Sequence, residues 1–84
     1  MSINGKVIDN SGESLPGVTV IKKGTVKGTI TDIDGNYSMS ASSGDVSLVF
    51  SFIGMRTQEI PKNNQSTINC TLAQNIIRVF HKLS

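Results

Sequence analysis

The chain has 84 residues, 37% hydrophobic and 17% charged, with a net charge of +2. That length allows one domain with a small core, and leaves little room for a deep catalytic cleft beside it. The excess charge comes from Arg78 and Lys82, because residues 1–72 carry six basic and six acidic side chains. No basic stripe is present, so a nucleic-acid partner is not expected. No apolar run is long enough to span a membrane, and the N-terminus does not have the form of a signal peptide. Cys70 is the single cysteine, which excludes an internal disulfide and a cysteine-based metal site.

Turn signals punctuate the chain at short intervals: Asn10-Ser11-Gly12, Pro16-Gly17, Gly24, Asp34-Gly35, Ser43-Gly44-Asp45, Gly54 and Pro61-Lys62-Asn63-Asn64. Between them lie seven predicted strands, near 2–9, 17–23, 27–32, 36–41, 46–53, 55–60 and 66–72. Ile3 and Val7 share a face of the first, with Gly5 between them. Val18 and Val20 share a face of the second. Tyr37, Met39 and Ala41 alternate with Ser38 and Ser40, and Ile68, Cys70 and Leu72 alternate with Thr67, Asn69 and Thr71. A period of two turns each apolar set toward a core. Val46 to Ile53 is nearly continuous in apolar residues, which predicts a central strand covered on both faces. No helix signal precedes residue 73. In Ala73 to Ser84, Ile76, Val79, Phe80 and Leu83 fall at helical spacing, and the stretch reads as a short amphipathic helix or an eighth strand. The apolar content of residues 74–84 predicts that they pack on the domain or pair with another copy.

The stretch Thr31-Asp32-Ile33-Asp34-Gly35-Asn36-Tyr37-Ser38 has the look of a calcium loop. With Gly35 in the sixth position of an EF-hand loop, the first position falls on Ile30 and the twelfth on Ala41. Neither offers a side-chain oxygen, and the closing bidentate carboxylate is absent. Asp-Gly between two alternating runs predicts a hairpin turn instead, of type I′ with positive φ at Asp34 and Gly35. Lys23-Gly24-Thr25-Val26-Lys27-Gly28-Thr29 lacks the Gly-Lys-Ser/Thr ending of a phosphate loop and reads as a strand connection. His81 is the single histidine, so no triad can be assembled. Cys70 alternates with Ile68 and Leu72 and reads as a small core residue. Asn36-Tyr37-Ser38, Asn64-Gln65-Ser66 and Asn69-Cys70-Thr71 match the glycosylation acceptor pattern and carry no weight without a secretory context. Tyr37, Phe50 and Phe52 fall in predicted strands and are expected to serve the core rather than stack on sugars. An enzyme is not expected. No catalytic, cofactor-binding or metal-ligating residue is assigned, and no cofactor is implied.

The order of signals resembles a known family. It runs Gly5-Lys6-Val7-Ile8-Asp9, Gly12-Glu13-Ser14-Leu15-Pro16-Gly17-Val18-Thr19-Val20, Lys23-Gly24-Thr25, Gly28-Thr29-Ile30-Thr31-Asp32, Asp34-Gly35-Asn36-Tyr37-Ser38, and Leu48-Val49-Phe50-Ser51-Phe52-Ile53-Gly54 with Thr57-Gln58-Glu59. Over residues 3 to 72 it resembles the carboxypeptidase-regulatory-like domain at the N-terminus of SusC/RagA-type TonB-dependent outer-membrane receptors of Bacteroidetes. The resemblance implies an all-β fold, a seven-stranded Greek-key β-sandwich of transthyretin or prealbumin type. It implies an accessory, non-enzymatic interaction domain on the periplasmic side of the outer membrane, beside a barrel that imports glycans or peptides. The parent receptor or components of the TonB system are the implied protein partners. Met55 stands where the family usually has an aromatic. After Leu72 the family continues into an acidic stretch and a plug, whereas this chain carries the atypical tail 73–84. Transport by this polypeptide alone is therefore not expected. A sandwich of this kind also allows self-association through an edge strand or the tail. The alternative readings are a carbohydrate-binding or adhesion sandwich, and a truncated receptor fragment with no function of its own.

Overall fold

The computed structural model describes residues 2–40, 47–63 and 65–74. Its strands are β1 (Ser2–Asp9), β2 (Thr19–Lys22), β3 (Gly28–Ile30), β4 (Asn36–Ser40), β5 (Ser47–Ser51), β6 (Gln58–Pro61) and β7 (Cys70–Leu72). They form two sheets, one in the order β4-β1-β7 and one in the order β3-β2-β5-β6. All pairings are antiparallel except β1 with β7, which run parallel. The β1–β2, β3–β4, β4–β5 and β6–β7 connections each cross from one sheet to the other. The fold is the expected all-β sandwich of transthyretin type.

Alternation decides which residues meet between the sheets. Ile3 and Val7 of β1, Tyr37 of β4 and Cys70 and Leu72 of β7 face Val20 of β2 and Leu48 and Phe50 of β5, with Val18, Leu15 and Ile68 completing the core. Each large side chain fully buried there contributes roughly 1.5–3 kcal/mol. Met39, Phe52, Met55 and Ile60 pack against this core and remain partly exposed.

Gly5 is the point where strands come closest. A Cβ built there would lie 1.9 Å from the carbonyl oxygen of Ile68 and 3.0 Å from the Tyr37 ring. Gly5 pairs with Tyr37 across β1 and β4, and the tyrosine ring lies against the bare backbone. Its hydroxyl donates to the Ile68 carbonyl at 2.6 Å. The ring meets Phe50 of the opposite sheet edge-on, at 5.6 Å between centroids, in the geometry aromatic pairs prefer.

Three expectations are corrected. β5 is central by pairing, between β2 and β6, but it is covered on one face: Leu48 and Phe50 are buried, Ser51 is exposed and Ile53 is 89% exposed beyond the strand. Serines at 47 and 51 mark the outer face, which the run of apolar letters conceals. The predicted strand 55–60 begins only at Gln58, because Met55 and Arg56 leave β5 to meet the chain after β7. Met55 bridges to Gln74, and the Arg56 N–H donates to the Ala73 carbonyl at 2.8 Å. The predicted strand 66–72 is regular only over its last residues. Ahead of them Thr67 makes an isolated parallel bridge to Asn4. Ala41 and the stretch 75–84 lie outside the described residues.

Gly5→Ala forces the Ile68 backbone away from β1, so it is expected to destabilise the domain by about 1–3 kcal/mol. Tyr37→Phe leaves the Ile68 carbonyl without its donor, for a loss of about 1–3 kcal/mol. Urea unfolding of each variant checks both, and wild-type midpoints would contradict the role assigned to this contact.

Candidate functional site

The carboxylate turns come first, because they hold the residues that resemble a metal loop. Asp32 Oδ1 accepts from the N–H groups of Asp34 and Asn36, both at 2.9 Å. The backbone closes the same turn: Gly35 N–H donates to the Asp32 carbonyl and Asp32 N–H to the Asn36 carbonyl. The loop is a side-chain-assisted turn with Gly35 left-handed at φ 79°. The expected type I′ geometry is not formed, since Asn63 is the sole non-glycine residue with positive φ among the described residues. The reason is local: Asp32 holds the N–H of Asp34 and Asn36 on one oxygen, which makes a three-residue loop with a glycine bulge.

The same device occurs a second time. Asp9 Oδ1 accepts from the Ser11 N–H at 2.8 Å, the Ser11 hydroxyl at 2.6 Å and the Glu13 N–H at 3.0 Å. Gly12 N–H donates to the Asp9 carbonyl and Asp9 N–H to the Glu13 carbonyl. Asp9 to Glu13 therefore repeats Asp32 to Asn36 bond for bond. Gly35 of the second turn packs on the residues that flank the first, with the site of its Cβ 2.7 Å from the Val7 carbonyl oxygen and 3.1 Å from the Leu15 nitrogen. In each turn one carboxylate oxygen, that of Asp9 or Asp32, is engaged by backbone N–H groups. Among the described residues no three His, Cys, Asp or Glu side chains converge as metal ligands.

Elsewhere the reactive groups are held inside the fold. Burial pushes the Cys70 thiol up to about 11, so it is protonated at neutral pH and a poor nucleophile. Burial also raises the Tyr37 phenol far above its ordinary value. Tyr37 and Phe50 are buried and Phe52 is half-buried, so none of these rings is laid open for stacking. In the Lys23 to Thr29 connection, Lys23 pairs with Glu59 at 3.0 Å and Lys27 is exposed. Asn69 Oδ1 accepts from the Lys6 N–H at 2.9 Å, so its amide bridges β7 to β1. His81 and Asn64 lie outside the described residues. Pattern reasoning overlooked Lys22 and Lys62, both of which are buried. The signal was present for Lys22, which continues the inward series of Val18 and Val20.

The described residues include two shallow concavities. One of about 220 Å³ is lined by Asp9, Asn10, Ser11 and Gln74, at the first carboxylate turn. The other, about 340 Å³, is lined by Lys6, Ile8, Asn69, Cys70 and Thr71 on the β1–β7 side. The second reaches only the lower limit of ordinary small-molecule sites. Beside it the outer face of the three-stranded sheet presents Ser2, Asn4, Lys6, Asn36, Ser38 and Ser40, all exposed. This is a flat hydroxyl and amide surface with one cation.

The chain is similar to known proteins over most of its length. The family model for the CarboxypepD_reg-like domain matches residues 3–79. TonB-dependent receptor P39 of Formosa agariphila is 44% identical over 70 residues, covering 83% of this chain. TonB-dependent receptor SusC of Bacteroides thetaiotaomicron is 46% identical over 68 residues, covering 81%. The chain spans only 7% of the length of either relative. Among solved structures, a chain of a type II cohesin–X-dockerin complex from Acetivibrio cellulolyticus superposes with a TM-score of 0.64 at 17% identity, over 84% of this chain and 52% of that one. At that identity the likeness concerns the fold alone.

The turns make two stability predictions. Ser11 and Glu13 hold the Asp9 carboxyl below the usual carboxylate range. A depressed native value adds stability above the unfolded carboxylate value, and that stability is lost as pH falls through the native one. Asp9→Asn keeps the acceptor oxygen without the titration. It is expected to flatten the acid limb of a stability–pH profile measured by urea unfolding, and an unchanged limb would contradict the assignment. Gly12 and Gly35 share positive φ, but nothing lies within 4 Å of a Gly12 Cβ. Gly12→Ala should therefore cost about 1 kcal/mol of backbone strain, and Gly35→Ala more, as thermal unfolding of the pair will show.

Proposed function

The chain belongs to the CarboxypepD_reg-like domain family, and from that membership we propose that it is a non-enzymatic accessory domain of a TonB-dependent outer-membrane receptor. The observation that carries the reading is its 44–46% identity to segments of two named TonB-dependent receptors. The domain works on the periplasmic side of the outer membrane, where it contacts the parent receptor or the TonB system. Its carboxylates, thiol and rings maintain the sandwich, which leaves surfaces and strand edges for recognition. The purified chain, immobilised and exposed to envelope extracts of a bacterium carrying such receptors, is expected to retain a receptor polypeptide or a TonB component. Recovery of neither would count against the proposal.

One observation favours a second reading. The exposed serines and asparagines on the outer β4-β1 face suit the hydroxyl groups of a carbohydrate, although no exposed ring accompanies them among the described residues. Titration against a panel of glycans separates the two readings, because silence across the panel removes the carbohydrate module.

A further inference from the structure

Among the described residues four strand edges end the two sheets, and they are not alike. β6 terminates at Pro61, which has no N–H to offer, and carries Glu59 in an ion pair with Lys23. Proline and charge are the usual guards of an edge. β7 and β3 are each three residues long, and β4 presents serines and an asparagine. β3 is bordered instead by three exposed aliphatic side chains, Val26 at 97%, Ile30 at 63% and Ile33 at 83%.

The backbone of β3 is arranged to pair again. Lys22 N–H donates to the Lys27 carbonyl, Thr31 N–H to the Val18 carbonyl, and Thr29 lies opposite Val20. Lys27, Thr29 and Thr31 thus turn their peptide groups toward β2. Alternation puts those of Gly28 and Ile30 on the outer edge. That leaves two donors and two acceptors in one short row.

We propose that this edge joins a second copy of the chain, β3 against β3, antiparallel across a two-fold axis at Thr29. Gly28 of each copy then lies opposite Ile30 of the other, and the two pairs exchange all four outward groups. The charge distribution selects this arrangement. Lys27 stands at the start of the strand, Asp32 and Asp34 follow its end, and a two-fold brings the basic end of one copy to the acidic end of the other. A parallel arrangement would set like charges side by side. The same operation brings Val26 of one copy toward Ile33 of the other, so the exposed aliphatic groups shield one another. An isologous contact of this kind closes on itself and does not propagate into fibres. The inference concerns self-association alone and stands whether or not the domain serves a receptor.

Sedimentation equilibrium of the full chain over a concentration series is expected to show a monomer–dimer equilibrium. Ile30→Lys changes an exposed side chain and should weaken it by about tenfold or more, that is by about 1.4 kcal/mol. Thr29 sits on the axis in a non-hydrogen-bonded pair, where Cα atoms approach to about 4.5 Å, within the range that a disulfide spans. Under oxidised glutathione, Thr29→Cys should therefore give a covalent dimer, while Glu59→Cys on the β6 edge should not. Cys70 is buried and does not compete. Monomers at every concentration overturn the proposal. So does a dimer that Ile30→Lys leaves unchanged or that Thr29→Cys does not trap.

Discussion

The sandwich depends on one contact, the Tyr37 hydroxyl on the Ile68 carbonyl at 2.6 Å. β1 and β7 are neighbours in space but lie more than sixty residues apart in sequence, as in the pair Val7 and Cys70. Bringing them together costs loop-closure entropy that no local interaction returns. The tyrosine comes from β4, crosses beneath Gly5 of β1 and ends on the residues leading into β7. It therefore connects all three strands of its sheet, while its ring reaches Phe50 in the other. A side chain at position 5 would block this path, so the glycine and the tyrosine form one device. Ring cover of a cross-strand glycine also offsets the weakness that glycine brings to a strand.

Crossing between sheets is the second constraint, because a chain leaving a ladder must satisfy its peptide groups in another way. Thr31 meets it after β1. Its buried hydroxyl donates to the Leu15 carbonyl at 2.6 Å and accepts from the Val18 N–H at 2.9 Å, on either side of Pro16 and Gly17. The two aspartate turns do the same at the ends of β1 and β3. Each gathers N–H groups on one carboxylate oxygen and lets a left-handed glycine redirect the chain. Gly35 of the second turn rests on Val7 and Leu15, the two sides of the hairpin that the first turn closes.

Much of this was legible in the sequence because alternation is a local property. Ile3, Val7, Val20, Tyr37, Cys70 and Leu72 all point inward as a period of two requires. What failed did so for reasons that lie outside the stretch being read. The run from Val46 to Ile53 reads as doubly covered, yet its cover depends on whether a third layer exists, which no stretch of eight residues records. Asp-Gly signals a turn, but the turn type is set by Asp32, two residues before the pair. The repeated bond pattern at Asp9 was hidden because Asn10-Ser11-Gly12 resembles Ile33-Asp34-Gly35 only in its final residue. The shared feature is the aspartate three places ahead of each glycine.

The distribution of chemistry through the molecule bears on what such a domain can do. Several polar and reactive groups are engaged by the fold: one oxygen each of Asp9 and Asp32 by peptide N–H groups, Asn69 by the β1 backbone and the Cys70 thiol by burial. What the sandwich leaves exposed are its surfaces and strand edges, and those edges are not equally guarded. Pro61 and the Lys23–Glu59 pair close β6 to strand addition. β3 lies on the opposite side of the same sheet and has neither guard, although charged residues stand at both of its ends. A strand left open in a small sandwich would be an aggregation hazard if any extended segment could add to it. The opposed charges of Lys27 and the Asp32–Asp34 turn narrow that choice to a strand with the reverse polarity, which the antiparallel copy of β3 itself provides.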